Sequence, residues 1–165
     1  MNNLNIIELA IADDNTDFRS LFAKLLTFES CGGIHVQLEA RNGAELLHGL
    51  REQVPHIILI DLRMPVMDGF ETARILHALF PEVILVGFSD TVPSMHTEEL
   101  YRLGFRSFIR KDLGMREVVD SLRRIRRGEW IADADRRQPE TGIRRHPGHT
   151  SILPMAPERV EWVVC

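Results

Sequence analysis

Alternation of strand-like and helix-like segments is the feature that most constrains this chain. Five short segments, either continuously apolar or alternating polar and apolar, are each followed by a segment with helical periodicity. The predicted strands are Ile6–Ala12, His35–Ala40, His56–Ile60, Val83–Phe88 and Arg106–Arg110. Repeated strand–helix alternation is typical of α/β proteins, in which helices cover both faces of a parallel sheet. The sequence therefore predicts an α/β fold.

The polarity of the strands predicts their order in the sheet. A strand buried on both faces is continuously apolar, whereas alternation marks a strand with one less buried face. The first, third and fourth segments are continuous, and the second and fifth are mixed. With right-handed crossovers, this pattern predicts a doubly wound five-stranded parallel sheet in the order 2-1-3-4-5, with the mixed strands at its edges.

Several residues have the character of helix ends. Asn15 and Asn42 precede helical patterns and are predicted N-caps, and Glu45 follows Asn42 at capping-box distance. Asp68 precedes the third helical segment and fits an N-cap better than a metal ligand. Gly104 is a suitable C-cap for the fourth helix.

The length and composition limit the protein to a few classes. The chain has 165 residues, two cysteines, and no apolar run that approaches the ~20 residues of a membrane span. Two cysteines are too few for a disulfide framework, so a cytoplasmic location is expected. We expect one domain over residues 1–130. The remainder, 131–165, is too short for a further domain and fits a tail or a truncated linker.

Charge is distributed unevenly along the chain. The net charge is −4, but the first 100 residues carry 15 acidic and 6 basic side chains. This acidic half argues against a broad nucleic-acid surface on the domain. Lysine is rare, since only Lys24 and Lys111 occur among 20 basic residues. The position of each lysine is therefore informative.

Polar and charged side chains follow four of the predicted strands. Asp13 and Asp14 follow the first strand, Asp61 the third, Ser89 the fourth and Lys111 the fifth. In doubly wound sheets, ligands bind at the carboxyl ends of the strands, near the point where the strand order reverses. An all-oxygen acidic cluster without Cys or His favours Mg²⁺ over zinc. The sequence therefore predicts a magnesium site at this edge.

The same residues suggest a reaction. A lysine ammonium can neutralise a phosphoryl oxygen or a neighbouring carboxylate, and the Ser89 hydroxyl can donate a hydrogen bond to that oxygen. Asp61, between the metal and Lys111, would then be a carboxylate nucleophile that forms an aspartyl phosphate. This remains a hypothesis from residue types and placement.

Four motifs resemble the receiver domain of two-component response regulators, which has a flavodoxin-like fold. They are IADD (Ile11–Asp14), IDLRMPVMDG (Ile60–Gly69), GFSD (Gly87–Asp90) and FIRKD (Phe108–Asp112). The motifs follow the family's order and spacing, and the resemblance covers about residues 5–128. The segment Lys111–Trp130 resembles the receiver end of regulators that continue into a helix-turn-helix DNA-binding domain, for which too few residues remain here.

The resemblance implies a role for each residue that matches a motif. Asp61 would be the phosphorylation site. Asp13, Asp14 and Asp61 would hold Mg²⁺, directly or through water, and Arg63 would add its backbone carbonyl. These implied roles agree with the chemistry expected at the strand ends.

The family also implies a conformational switch. Ser89 would move towards the phosphoryl group, Phe108 would be the aromatic residue whose rotamer follows it, and Lys111 would pair with Asp61 or its phosphate. Pro65 and Gly69 would shape the loop after the third strand.

These implied roles lead to a first hypothesis, a phosphoacceptor rather than an enzyme with turnover. A histidine kinase, a phosphotransfer protein or a small phosphodonor would phosphorylate Asp61 with Mg²⁺. Phosphorylation would change affinity for a partner or for a second copy through the last helices and strand five. No direct DNA or membrane binding is expected, and transcription regulation would belong to a downstream output.

Two other hypotheses remain open at the sequence level. One is a receiver-like binding module that is never phosphorylated. Asp90 makes it conceivable, because the residue after the strand-four hydroxyl is usually small in this family. Asp90 could instead slow phosphodonor entry or alter dephosphorylation, or it could point to solvent and have little effect. The other is a phosphohydrolase, which would usually need an acid/base carboxylate where this chain has Arg63.

Overall fold

The computed structural model describes residues 6–90 and 97–129. Its strands are β1 (Ile7–Ala12), β2 (Ile34–Ala40), β3 (Ile57–Ile60), β4 (Ile84–Ser89) and β5 (Phe105–Arg110). Its helices are α1 (Thr16–Glu29), α2 (Gly43–Gly49), α3 (Gly69–Leu79), α4 (Thr97–Arg102) and α5 (Met115–Arg126). Each predicted strand lies within one or two residues of an observed one, so the α/β prediction is confirmed.

The five strands form one parallel sheet in the order β2-β1-β3-β4-β5. This confirms the predicted order and places the two mixed strands at the edges. The central strand β3 is buried at all four positions. Since β3 has a neighbour on each side and helices on each face, every side chain on it must be apolar.

Helices cover both faces of the sheet and produce two apolar layers. On one face, α1 and α5 pack against β1, β3, β4 and β5, with Phe22, Leu26 and Leu122 among the buried side chains. On the other face, α2, α3 and α4 contribute Leu46, Leu76 and other buried side chains. Burial of these two layers drives folding, at about 25 cal/mol for each Å² of apolar surface removed from water.

The predicted N-caps are present. Asn15 accepts a hydrogen bond from Phe18 N, and Asn42 accepts one from Glu45 N. The carboxylate of Glu45 accepts from Arg41 N at 2.7 Å, so it reaches one residue further back than a standard capping box. These caps fix where α1 and α2 leave the carboxyl edge of the sheet.

Two further helix-end predictions are borne out. Asp68 caps α3, because its side-chain Oδ1 accepts a hydrogen bond from Glu71 N at 2.8 Å. Gly104 follows α4 with a φ of +98°, a conformation that favours glycine.

Both edge strands contain a register shift that the sequence pattern did not predict. In β2 the shift lies at Gln37, because Leu9 pairs with Val36 and the next residue, Ala10, pairs with Leu38. As a result, Ile34 and Val36 pack on the α1 side of the sheet, whereas Leu38 and Ala40 pack on the α2 side. An extra residue in one strand moves the side chains of all later residues in that strand to the opposite face of the sheet.

Within residues 6–90 and 97–129, no helix is long and apolar enough to cross a membrane. The predicted tail, 131–165, lies outside the described residues.

Candidate phosphoacceptor site

Lys111 is held between two buried carboxylates at the carboxyl edge of the sheet. Its Nζ lies 2.7 Å from Asp61 Oδ2 and 2.7 Å from Asp13 Oδ2. The contact with Asp61 has hydrogen-bond geometry, whereas the contact with Asp13 is an ion pair without that alignment. Asp13 is completely buried, and Asp61 is 7% exposed. Three strand ends therefore place one ammonium between two carboxylates.

Backbone hydrogen bonds hold both carboxylates in place. Asp61 N donates to Ala12 O at 2.8 Å, which continues the β1–β3 pairing past the end of the strand. Asp61 Oδ1 accepts from Arg63 N at 3.1 Å, and Asp13 Oδ1 accepts from Asn15 N at 2.9 Å. In each carboxylate, one oxygen thus accepts a hydrogen bond from a backbone N–H of its own loop, and the other oxygen contacts Lys111.

The surroundings of Lys111 set its charge state. Burial alone would lower its pKa. The close contacts of Nζ with both carboxylates, an ion pair with Asp13 and a charged hydrogen bond with Asp61, outweigh burial and raise the pKa above its usual value. The Nζ atom also lies 5.2 Å from the ring centroid of Phe18 and 5.8 Å from that of Phe88. Lys111 is therefore a fixed positive charge that lies next to two aromatic rings.

Asp14 completes an acidic group that suits a cation. One carboxylate oxygen from each of Asp13, Asp14 and Asp61 lies within 4.8 Å of the others, and Asp14 is exposed at the rim. Asp13 Oδ2 is enclosed and accepts no hydrogen bond from the described residues. Oxygen ligands and an open side match the requirements of Mg²⁺, which keeps several of its waters. The residues present fit the predicted ion.

Arg19 supports the site and was missed at the sequence level. This α1 side chain is 6% exposed, and its Nη1 donates to Asp13 O at 2.6 Å. Its Nε lies 3.3 Å from Glu39 of β2. A signal was available, because Arg19 lies three residues before Phe22 on the buried side of α1. An arginine on an apolar helix face needs a partner for its charge.

Gly69 allows the loop after β3 to fold back beneath the site. A Cβ at this position would lie 2.3 Å from Asp61 O, so any side chain would push α3 away. Gly69 N also donates to Leu62 O at 3.1 Å. The predicted role of Gly69 in shaping this loop therefore has a steric basis. Pro65 is exposed in the same loop.

Ser89 and Phe108 lie on neighbouring strands close to these charges. Ser89 ends β4 and is 5% exposed, and its backbone carbonyl accepts a hydrogen bond from Lys111 N at 3.1 Å. Phe108 lies in β5 with its ring buried, at 5% exposure. Asp90, the departure from the family pattern, is exposed at the end of β4. The roles predicted for these residues remain predictions.

Comparison with known proteins identifies the family. The family described as "Response regulator receiver domain" matches residues 9–123, which is more than half of the chain. The chain belongs to this family. Receiver domains of two-component signalling therefore provide the context for the acidic site, and the family assignment made from the four motifs is confirmed.

Relatives of this receiver include regulators and enzymes. It is 26% identical to the response regulator GacA of Pseudomonas protegens over 75% of this chain and 57% of that protein. It is 34% identical to a protein-glutamate methylesterase/protein-glutamine glutaminase of Bacillus licheniformis over 66% of this chain and 30% of that protein. The chain thus spans about a third to just over half of the curated relatives it matches.

Solved structures support the receiver fold. The isolated REC domain of RcsB from Salmonella enterica serovar Typhimurium aligns with a TM-score of 0.68 at 19% identity, covering 79% of this chain and 95% of that one. A CheY-like receiver from Methanospirillum hungatei JF-1 aligns with a TM-score of 0.66 at 20% identity, covering 74% and 95%. At these identities the likeness shows the fold alone.

Proposed function

We propose that this receiver accepts a phosphoryl group on Asp61 from a histidine kinase, a phosphotransfer protein or a small phosphodonor. The observation that supports this most strongly is the Lys111 ammonium held 2.7 Å from both Asp13 and Asp61. The Lys111 ammonium, together with a cation held by the acidic group, would offset the negative charge that a phosphoryl group adds at Asp61. No turnover of external substrates is expected beyond slow self-dephosphorylation.

The transfer needs few protein groups. A carboxylate oxygen of Asp61 attacks phosphorus while the bond from phosphorus to the donor breaks, and the bonding electron pair leaves with the donor. Lys111 stays charged and stabilises the oxygens of the phosphoryl group. Asp13, Asp14, Asp61 and the carbonyl of Arg63 would hold Mg²⁺. When bound, this ion would neutralise further negative charge as the phosphoryl group arrives.

Phosphorylation is proposed to act as a population shift between two arrangements of the same fold. Ser89 would move towards the phosphoryl group and Phe108 would follow. The surface formed by α4, β5 and α5 would then change its affinity for a partner or a second copy. On this surface Arg106 lies over the Tyr101 ring at 4.7 Å, and Arg110 pairs with Asp112. Both contacts involve a β5 arginine two residues from Phe108.

The remaining expectations belong to this proposal. We propose a receiver domain over residues 1–130 and a tail over 131–165. A cytoplasmic location fits the scarcity of cysteine. We expect no direct DNA binding from the acidic body of the domain. Any transcriptional output would act through another domain or protein.

The test is intact mass after incubation with acetyl phosphate and Mg²⁺. Wild type is expected to gain the mass of one phosphoryl group, and Asp61→Asn is expected to gain none. Asp68→Asn is the matched control, because it makes the same chemical change at a carboxylate outside the cluster and asparagine can still cap α3. EDTA should abolish the adduct in wild type and in the control.

The result that refutes the proposal is equally clear. If wild type gains no adduct with acetyl phosphate or carbamoyl phosphate at saturating Mg²⁺, the phosphoacceptor function is wrong. Partner binding that survives Asp61→Ala would then favour the receiver-like binding module. Sedimentation of the same samples tests whether phosphorylation changes the oligomeric state.

A further inference from the structure

The ring of Phe108 occupies a notch that exists only because residue 87 is glycine. A Cβ built on Gly87 would lie 2.0 Å from Phe108 Cε1, 2.4 Å from Cδ1 and 2.7 Å from Cζ. Three ring atoms thus fill the space that any other residue would use for its side chain. Carbon atoms do not approach so closely, so either the ring or the backbone would have to move.

The register of β5 places Phe108 opposite this notch. Leu85 pairs with Phe105, but the next residue, Val86, pairs with Ser107, so Arg106 is an extra residue in β5. The shift sets Phe108 beside Gly87. It also brings Phe105 and Phe108 to the same face of the sheet, although they are three residues apart, with ring centroids separated by 5.0 Å. Without the extra residue, alternation would turn one of the two rings to the other face.

Phe108 belongs to a buried apolar layer of the core. Phe105 is completely buried, and Leu62, Met64 and Leu100 belong to the same apolar layer with exposures of 4–7%. Packed interiors contain few voids, so such a layer leaves little spare space for a displaced ring. The notch over Gly87 therefore decides whether the ring fits in its buried position.

We propose that Gly87 is the positioning residue of the Phe108 switch: the absent side chain at residue 87 holds the ring in its buried position, and bulk at that residue turns the ring out to the β5 surface. This inference rests on the proposed function in assigning Phe108 as the switch. Gly87 lies on the same face of β4 as Ser89, two residues before it, so the notch adjoins the strand end that the phosphoryl group would reorganise.

The test observes the ring directly. The 165-residue chain is labelled with 4-fluorophenylalanine, which reports all eight of its phenylalanines by ¹⁹F NMR. The Phe108 signal is assigned by its loss in Phe108→Leu, and its solvent access is measured as broadening by a neutral nitroxide. Two internal references calibrate the scale, because Phe105 is fully buried and Phe28 is 81% exposed.

In wild type, the Phe108 signal is expected to be as protected as that of Phe105. In Gly87→Ala, its broadening should move most of the way to that of Phe28. Gly49→Ala is the matched control, because its Cβ would also meet a neighbour, at 2.6 Å, but that neighbour is the flexible end of Leu38. This control should leave the Phe108 signal unchanged. A folded Gly87→Ala variant with a fully protected Phe108 overturns the proposal.

A second variant covers the case in which Gly87→Ala does not fold. Gly87→Ala combined with Phe108→Leu removes the ring that the new methyl group meets, so folding should be restored. Failure of this rescue would show that the clash lies elsewhere and would overturn the proposal.

The test of Gly87 can fail or succeed independently of the test of phosphorylation. If acetyl phosphate leaves both the mass and the Phe108 signal of wild type unchanged, the phosphoacceptor proposal fails. The response of the ring to bulk at residue 87 would still be decided by the variants.

Discussion

Replacement of Lys111 by methionine should destabilise the protein far more than replacement of the other lysine. Methionine keeps most of the length and apolar volume of the stem but removes the ammonium. Asp13 and Asp61 would then face each other in the interior without their cation. The side chain of Lys111 is 11% exposed, and those of Asp13 and Asp61 are 0% and 10% exposed, so solvent cannot replace the lost contacts.

The magnitude follows from this burial. Removal of one partner from a buried ion pair costs about 3–5 kcal/mol, whereas loss of an exposed pair costs about 0–1 kcal/mol. Because the site opens at one rim through Asp14, we expect the lower end, about 3 kcal/mol in Mg²⁺-free buffer. For a domain of this size, that corresponds to a fall in Tm of about 10–15 °C.

The assay is urea unfolding of the full chain with EDTA present. Lys24→Met is the matched control, because Lys24 is the other lysine of the chain and is exposed on α1. Its effect should stay within about 0.5 kcal/mol of wild type. Added Mg²⁺ should stabilise Lys111→Met more than wild type, since the ion no longer shares the carboxylates with an ammonium.

A double variant identifies the cause of the loss. Asp61→Asn in the Lys111→Met background removes one of the two facing charges and should recover about 1–3 kcal/mol of stability. If Lys111→Met loses less than about 1 kcal/mol relative to Lys24→Met, or if the double variant is less stable than Lys111→Met alone, the ammonium does not hold these carboxylates in place.

Two further predictions concern residues outside the acidic group. Val66 has a φ of 70° and is 85% exposed, a conformation that a β-branched residue adopts at a cost of about 1–2 kcal/mol. Val66→Asn should therefore raise the free energy of unfolding by about 1 kcal/mol. Val54→Asn, at an exposed valine without positive φ, should not raise it, and equal effects of the two changes would contradict the argument. His56 Nδ1 accepts a hydrogen bond from Glu8 N at 3.0 Å. Burial lowers the pKa of His56, and the positive charge of Arg126 lowers it further, whereas the negative charge of Glu8 acts in the opposite direction. The neutral His56 ring therefore contributes its full stabilisation of the folded state when the pH is above the pKa of histidine in the unfolded chain, about 6.5. This stabilisation is lost as the pH falls through the lower pKa of the folded state. The His56→Asn variant keeps a hydrogen-bond acceptor but does not titrate. The urea midpoints of wild type and this variant should therefore converge as the pH is lowered from 7.5 to 5. A constant difference between the midpoints would exclude a contribution from His56 titration.

Local chemistry was sufficient to predict the framework. Continuous apolar strands, mixed edge strands and N-caps such as Asn15 and Asp68 depend on residues close in sequence, and each was predicted correctly. The gathering of Asp13, Asp61 and Lys111 also followed from the sequence. In a parallel sheet of known order, the carboxyl ends of neighbouring strands must meet at one edge.

Side-chain contacts between distant segments could not be predicted in the same way. The extra residues Gln37 and Arg106 reverse which face the rest of each edge strand presents, and no period-two pattern reveals where such a shift will lie. The hydrogen bond from Arg19 to Asp13 O depends on how α1 packs on the sheet. These features are decided by the global packing of the two apolar layers.

The sequence by itself determined that this protein is a receiver with its acidic residues, hydroxyl and lysine at one sheet edge, because strand order and strand ends are encoded locally. Tertiary structure alone decided that Lys111 is held between two buried carboxylates and that Phe108 fills the space over Gly87. Those contacts require strands far apart in the chain to be positioned to within a few tenths of an ångström. Only the packed interior sets such distances.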